Sequence, residues 1–195
     1  MAATHPDWCL GFEDETWWSR LAAPTVQSWT ASGQPLRVVE QTVAPDDADP
    51  KALACYGLYL PTTNEVLLRF VDDRPVSAIT TQFLAWCSDQ LAARGTTALL
   101  LVWDNASWHI SKHVRQWIAT HNQTVKTTGQ GVRIVSCLLP SKSPWLNAIE
   151  PKWVHGKRRV LEPARLLTAN ELAERACAAL GCAHEPHLSL PKEVA

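Results

Sequence analysis

The sequence lacks the features that mark membrane, secreted and metal-ribbon proteins. Its 195 residues contain no apolar run close to the roughly 18 residues that a membrane-spanning helix needs. The N-terminus, Met1 to Trp8, has neither the basic flank nor the apolar stretch of a signal peptide. None of the six cysteines forms a C-x-x-C pair, which argues against a zinc site or a disulfide framework. The default expectation is a cytoplasmic protein of one domain, long enough to bury a sizeable core.

Charge is distributed unevenly along a chain whose net charge is only −1. Residues 1–104 carry 6 lysines and arginines against 13 acidic residues, whereas residues 105–165 carry 10 against 2. The middle segment therefore has a net charge of +8, which is compatible with a face that binds a polyanion. The alternative is that the acidic half folds back and neutralises it, and charge alone does not decide between the two.

Hydrophobic periodicity predicts an α/β domain. Strands are predicted at Trp8–Phe12, Leu36–Val43, Ala52–Leu60, Glu65–Val71, Thr97–Trp103 and Val132–Leu139. Helices are predicted at Pro75–Arg94, Ser111–Thr120, within Asn147–Val160, and from a capping box at Thr168–Glu171 to about Leu180. Thr120–Gly131 reads as an extra loop, and the tail as irregular. This order suggests a mixed sheet flanked by helices.

Three acidic residues occupy positions where an α/β sheet usually places its functional site. Asp14 follows the first predicted strand, Asp104 ends the strand TALLLVW, and Glu150 begins a helix. A carboxylate beside such apolar runs is costly to bury unless something compensates its charge, as a divalent metal would. For each acid taken alone, a solvated turn or a helix cap is the alternative. Glu13 and Glu15 flank Asp14 and would point to the opposite face of a strand.

The segments around these acids are specific. Asp14 lies within Phe-Glu-Asp-Glu, Asp104 heads Asp-Asn-Ala-Ser-Trp-His, and Glu150 ends LPSKSPWLNAIE, with Trp153 three residues further on. From about Trp8 to Val160 the sequence resembles the mariner-type DDE transposases, in particular their bacterial insertion-sequence branch. That group shows a strand ending in Asp-Glu, then Asp-Asn-x-x-x-His, then Leu-Pro-x-x-Ser-Pro-x-Leu-Asn-x-Ile-Glu-x-x-Trp. Ala148 and Ser141 stand where the group usually has proline.

The resemblance implies a fold, an activity and a set of site residues. The fold would be RNase H-like, and Asp14, Asp104 and Glu150 would hold two Mg²⁺ or Mn²⁺ ions. The reactions would be cleavage at transposon ends and attack of the freed 3′-OH on target DNA. Supporting or DNA-contacting groups near the site would be Asn105, His109 and Asn147. The basic residues expected to contact DNA are Lys142, Lys152, Lys157, Arg158 and Arg159, with a solvated basic face as the alternative for residues 157–159.

The resemblance also bears on domains and partners. Residues 1–165 would form the catalytic domain, and residues 166–195 would add a C-terminal helix and a tail to it. The family normally begins with helix-turn-helix modules, for which Met1 to Asp7 leave no room, so end recognition would come from a separate polypeptide. A homodimer on DNA is expected because the family works on paired ends.

Two other functions stay open. One is a non-transposing RNase H-like nuclease, and the other is an inactive or split transposase remnant that binds DNA or a partner. The four tryptophans within the second and third motifs could either pack around the site or stack on bases; they are Trp103, Trp108, Trp145 and Trp153.

Overall fold

A five-stranded mixed sheet forms the centre of the molecule, in a computed structural model that describes residues 5–21, 42–160, 162 and 165–190. Its strands are β1 (Trp8–Ser19), β2 (Ala52–Leu60), β3 (Glu65–Val71), β4 (Ala98–Trp103) and β5 (Arg133–Leu138). They lie in the order β3-β2-β1-β4-β5, with β2 antiparallel to both β1 and β3, and with β4 and β5 parallel to β1. The predicted α/β class with a mixed sheet is confirmed.

Helices cover both faces of the sheet. They are α1 (Ser77–Ala92), α2 (Lys112–Thr128), α3 (Glu150–Val160) and α4 (Ala169–Leu180), with a short 3₁₀ helix at Pro144–Leu146. One apolar core joins α1 and α2 to the sheet through residues such as Phe83, Leu91 and Val114. A second core joins α3 and α4 to the other face through residues such as Trp18, Trp153 and Leu172. No helix in the described residues is long and apolar enough to cross a membrane.

Strand β1 is longer than the sequence predicts. Its parallel pairing with β4 ends at Phe12, where the prediction ended it, but its antiparallel pairing with β2 continues to Ser19. Asp14 therefore lies inside a strand rather than after one, which corrects the prediction. The physical reason is that β2 continues to supply hydrogen-bond partners after β4 has ended, so a polar residue can stay in extended backbone.

The predicted loop Thr120–Gly131 is wrong. Helix α2 runs on to Thr128 and ends at Gly129, which adopts a left-handed conformation with φ of +69°. The threonines that suggested a loop donate hydroxyl hydrogen bonds back to carbonyls one turn earlier, as Thr124 does to Thr120 and Thr128 to Thr124. This pairing keeps a threonine-rich segment helical.

Strand β5 lies at the edge of the sheet instead of being buried. Its last three residues, Ser136 to Leu138, are exposed, although an apolar run predicted a buried strand. An edge strand has a neighbour on one side only, and within the described residues β5 pairs with β4 alone.

The C-terminal part is tied to the sheet. Thr168 and Glu171 form the predicted capping box at the start of α4, and Gly181 ends it. Beyond α4 the tail is not wholly irregular, because Leu188 is buried and forms a parallel bridge with Val71. The predicted strand Leu36–Val43 falls mainly on residues 22–41, which lie outside the described residues; Thr42 and Val43 are not in a strand.

Candidate active site

The three predicted carboxylates lie near the carboxyl end of strand β4. Phe12 pairs with Val102 in the last parallel pair of β1 and β4, and Asp14 within β1 and Asp104 directly after β4 each follow that pair by two residues. Glu150 begins α3, and its charge is close enough to raise the pKa of Asp14. Burial is the larger cause of that shift, followed by the charge of Glu15, and together these effects raise the pKa of Asp14 to about 7.

The missing side chain of Gly57 in β2 lets α3 pack against Asp14. Gly57 is the residue paired with Asp14 across the β1–β2 ladder. A Cβ atom at Gly57 would collide with the Trp153 ring and would lie 3.0 Å from Ile149. Because the glycine leaves that space, Trp153 lies directly on the sheet, and its indole Nε1 donates to Asp14 Oδ2 at 3.1 Å. The fourth tryptophan of the motifs is therefore a packing residue that also orients a carboxylate.

Asn147 fixes the segment that leads into α3. Its side chain is 2% exposed, and its Nδ2 donates to the backbone carbonyl of Glu13 at 2.9 Å. The bond ties the residues before Glu150 to the strand position beside Asp14. Its carboxamide oxygen Oδ1 is buried without a hydrogen-bond partner among the described atoms. The supporting position predicted for Asn147 thus has a definite geometric basis.

His109 links Asp104 to β1. Its Nδ1 lies 2.8 Å from Asp104 Oδ1, and its Nε2 lies 3.0 Å from Glu15 Oε1. The ring stacks on Trp103 with centroids 4.6 Å apart, and Trp108 Nε1 also donates to Glu15 Oε1 at 2.8 Å. The second motif therefore folds back on itself and holds Asp104 in place.

The histidine in this network is protonated. Burial lowers the pKa of His109, but the charge of Glu13 and the hydrogen bonds to Asp104 and Glu15 outweigh burial and raise it to about 11. In turn the imidazolium, mainly by its hydrogen bond, holds the pKa of Asp104 below its usual value. Both ring nitrogens of an imidazolium carry protons and donate, so the protonated form of His109 binds its acidic neighbours as a donor.

Glu13 is a buried acid that the sequence reasoning set aside. Its side chain is fully buried, its Oε2 lies 3.2 Å from His109 Nε2, and neither carboxylate oxygen forms a hydrogen bond within the described residues. Burial raises its pKa well above the usual value. Glu13, Glu15 and His109 could bring three potential ligand atoms within 4.8 Å, and the protonated form of His109 forms ion pairs with both carboxylates. The alternation of Glu13 and Glu15 with Asp14, together with the histidine of Asp-Asn-x-x-x-His, is the sequence signal that could have indicated it.

Asn105 borders the cleft beside Asp104. Its Nδ2 donates to the Leu139 carbonyl at 2.6 Å and so connects the ends of β4 and β5. A cleft of about 480 Å³ opens there, lined by Asp104, Asn105 and Ala106 on one side and by residues 139–144 on the other. Asp104 keeps about half of its side chain exposed to this space.

The five predicted DNA-contacting residues do not form one patch. Lys157 lies on the flank of α3 that carries Glu150, and its Nζ donates to Thr16 Oγ1 at 2.6 Å. Lys152 and Arg159 line a separate cleft with His155 on the other flank. Two exposed residues remain: Arg158 on the outer side of α3, and Lys142, which lies in the loop that lines the Asp104 cleft.

The carboxylates fit a divalent metal in chemical terms. Asp14, Glu15 and Glu150 bring like charges together, and this repulsion contributes to the raised pKa of Asp14. A divalent cation would relieve that repulsion. The available donors are carboxylate oxygens, which are the ligands that Mg²⁺ prefers and that also suit Mn²⁺.

Comparison with protein families assigns the chain. The model of the DDE superfamily endonucleases matches residues 12–173, which contain all three predicted carboxylates. The chain is a member of the DDE superfamily endonucleases. The comparison with curated proteins gives no match. The DDE family predicted from the motifs is thereby confirmed, and the bacterial insertion-sequence branch stays a prediction.

Solved structures show the same fold for this DDE endonuclease chain. The Mos1 transposase paired-end complex with the left transposon end is similar with a TM-score of 0.64 and 16% identity, over 89% of this chain and 48% of the Mos1 chain. The Mos1 mariner paired-end complex with Mn gives a TM-score of 0.62 and 15% identity, over 89% and 48%. The chain thus spans about half the length of the proteins it matches. The RNase H-like fold is confirmed.

Proposed function

We propose that this DDE endonuclease chain is the catalytic domain of a DNA transposase, which cleaves DNA strands and transfers a freed 3′-OH to target DNA. The observation that supports this most is the convergence of distant acids. The charge of Glu150 lies close enough to raise the pKa of Asp14, and Asp104 directly follows β4, the strand that pairs with β1 up to Phe12. The similarity to Mos1 transposase complexes with transposon ends adds support at the level of fold.

In this proposal Asp14, Asp104 and Glu150 hold two Mg²⁺ or Mn²⁺ ions. Such a pair of ions, when bound, activates the attacking oxygen and stabilises the leaving oxygen of a phosphodiester. The chain itself presents the carboxylate oxygens in fixed positions. Trp153 donates to one oxygen of Asp14, and the His109 imidazolium holds one oxygen of Asp104, which leaves the second oxygen of each carboxylate available.

The basic residues have two roles in the proposed DNA contact. Lys157, beside Glu150, and Lys142, at the Asp104 cleft, would hold the phosphates next to the bond that is cleaved. Lys152, Arg158 and Arg159 would contact phosphates further along the duplex, since they lie on the other sides of α3. Phosphate contacts of this kind position DNA without reading its sequence.

Further parts of the proposal concern the whole protein. We place residues 166–195 in the catalytic domain, because α4 packs in the same core as α3 and Leu188 joins β3. We also propose a homodimer on DNA, a separate helix-turn-helix polypeptide for end recognition, and action in the cytoplasm. The paired-end arrangement of the Mos1 complexes is compatible with the dimer.

The test is strand cleavage of a supercoiled plasmid with Mn²⁺ or Mg²⁺, followed by joining of a labelled oligonucleotide with a free 3′-OH to that plasmid. We expect nicked and linear plasmid and a joined product with the wild type. Glu150→Gln, which keeps the shape of the side chain and removes its charge, should give neither. Nicking without joining would favour a non-transposing nuclease. An intact plasmid in the presence of metal-loaded wild type would contradict the proposal.

A further inference from the structure

One tryptophan of the site motifs does not pack. Trp103 and Trp153 are buried, and Trp108 is half-buried with its indole nitrogen bonded to Glu15. Trp145 is different because 75% of its surface is exposed. Exposing an indole to water forgoes one of the largest apolar burials that a side chain can offer.

Trp145 directly follows the loop that lines the Asp104 cleft. Pro144, the residue before it, lines that cleft together with Asp104, Asn105 and Lys142. Two other large apolar side chains on the same segment are also exposed, Leu138 at the end of β5 and Leu146.

Hydrogen bonds hold the backbone segment that carries the indole. The 3₁₀ helix that carries it is closed by bonds from Leu146 N to Ser143 O at 3.1 Å and from Asn147 N to Pro144 O at 2.8 Å. Asn147 is in turn bound to the backbone of β1 at Glu13. A platform of this kind loses little conformational entropy when a flat ligand settles on it.

We propose that Trp145 is a base-stacking platform, which holds an unpaired nucleobase of a DNA strand end beside Asp104. The proposal rests on the proposed function and adds a second kind of contact: the lysines contact phosphates, whereas Trp145 contacts a base. Charge favours DNA over an apolar protein partner: residues 105–165, which include this loop, carry 10 basic against 2 acidic residues. Lys142 lines the adjoining cleft and could pair with the phosphate of the same nucleotide. Stacking on an aromatic ring tolerates any base, because every base has a π-face.

The experiment measures binding of a fluorescein-labelled duplex with a short single-stranded 3′ overhang, and of the same duplex with an abasic overhang, by anisotropy. The wild type should prefer the overhang that contains bases. Trp145→Ala should lose that preference and bind the base-containing DNA roughly five-fold or more weakly, with unchanged binding of the abasic DNA. Trp145→Phe should keep most of the preference. Trp17→Ala is the matched control, since Trp17 is also exposed but neither it nor its chain neighbours line the Asp104 cleft, and it should bind like the wild type.

Three results would overturn the stacking role. The first is that wild type and Trp145→Ala bind the base-containing DNA with equal affinity, and the second is that the variant loses affinity equally for both DNAs. The third is that sedimentation shows a wild-type dimer and a monomeric Trp145→Ala protein, which would mean that a second copy covers the indole. A wild type that binds neither DNA would instead contradict the proposed function. Because Trp145 is exposed, the thermal unfolding midpoint of the Trp145→Ala protein should equal that of the wild type. Misfolding is then excluded as the cause of weaker binding.

Discussion

Around Asp14 the protein gathers more negative charge than a folded chain accommodates without compensation. Its pKa of about 7, against about 3.9 in an unfolded chain, means that the metal-free folded state binds a proton that the unfolded state releases. The contribution of Asp14 to the folding stability of the metal-free protein therefore decreases as pH rises from about 4 to about 7, and is constant above that range.

Asp14→Asn should stabilise the metal-free protein at neutral pH. The amide keeps the Trp153 contact as an acceptor and removes the buried charge. We expect a gain on the order of 1–2 kcal/mol at about pH 8, which is less than the full shift would give because part of the side chain meets solvent. The gain should vanish near pH 4. Urea denaturation with a chelator at the two pH values measures it, and a variant that is less stable at both would contradict this account of Asp14.

His109 has the opposite effect on stability, because it is a buried cation that forms ion pairs with three acids. His109→Gln should destabilise the protein by about 3 kcal/mol or more, since it leaves Glu15 and Asp104 without their positive partner. The folded pKa of about 11 lies above the unfolded value of 6.5, so the deficit should be largest below about pH 6.5 and should shrink as pH rises toward 11.

The matched control is His113→Gln. His113 is exposed on α2, four residues further along, and its substitution should change the free energy of unfolding by no more than about 0.5 kcal/mol. Equal deficits for the two variants in denaturant titrations would mean that His109 does not hold the network together.

At the scale of secondary-structure elements, the packing of α3 on the sheet decides where Glu150 lies. Helix α3 packs there through Trp153, which fills the space above Gly57. The backbone of Gly57 would accept other residues, so the glycine is required by packing alone.

Gly57→Ala should therefore push Trp153 off the sheet. We expect a loss of about 1–3 kcal/mol of stability from overpacking, together with weaker divalent-cation binding. Trp153→Phe is the companion variant: it keeps an aromatic ring in place but removes the donor to Asp14, and should cost less stability while still weakening cation binding. Thermal unfolding and calorimetry give both quantities. A Gly57→Ala protein as stable as the wild type would show that α3 does not depend on this contact.

The two basic flanks of α3 should differ in function. Lys157→Ala should reduce both plasmid cleavage and the salt dependence of DNA binding, the latter by about one unit of slope. Arg159→Ala should reduce the slope similarly, but should leave the cleavage of bound DNA nearly unchanged, because its cleft lies away from Glu150. Lys126→Ala, on α2, is the control and should alter neither. Equal cleavage defects for Lys157→Ala and Arg159→Ala would contradict the division into two roles.

For the whole molecule, the apolar runs and the three motifs were enough to predict the α/β class, all four helices and the family. What they missed depends on neighbours in space. Asp14 stays in a strand because β2 pairs with it. In the part of the chain that the structure describes, β5 has no strand on its outer side, and α2 extends through threonines that hydrogen-bond to its own backbone. Likewise, no spacing rule brings His109 between Glu15 and Asp104, which are 89 residues apart in the sequence.

The central claim is that Asp14, Asp104 and Glu150 act together as a divalent-cation site, and calorimetric titration of Mn²⁺ tests it most directly. The wild type should bind Mn²⁺, Asp104→Ala should lose most of that binding, and Asp46→Ala, which removes an exposed acid from a distant loop, should bind like the wild type. A wild type that binds no Mn²⁺ even with DNA present would contradict the claim, and the chain would then be a remnant that keeps the fold without the chemistry.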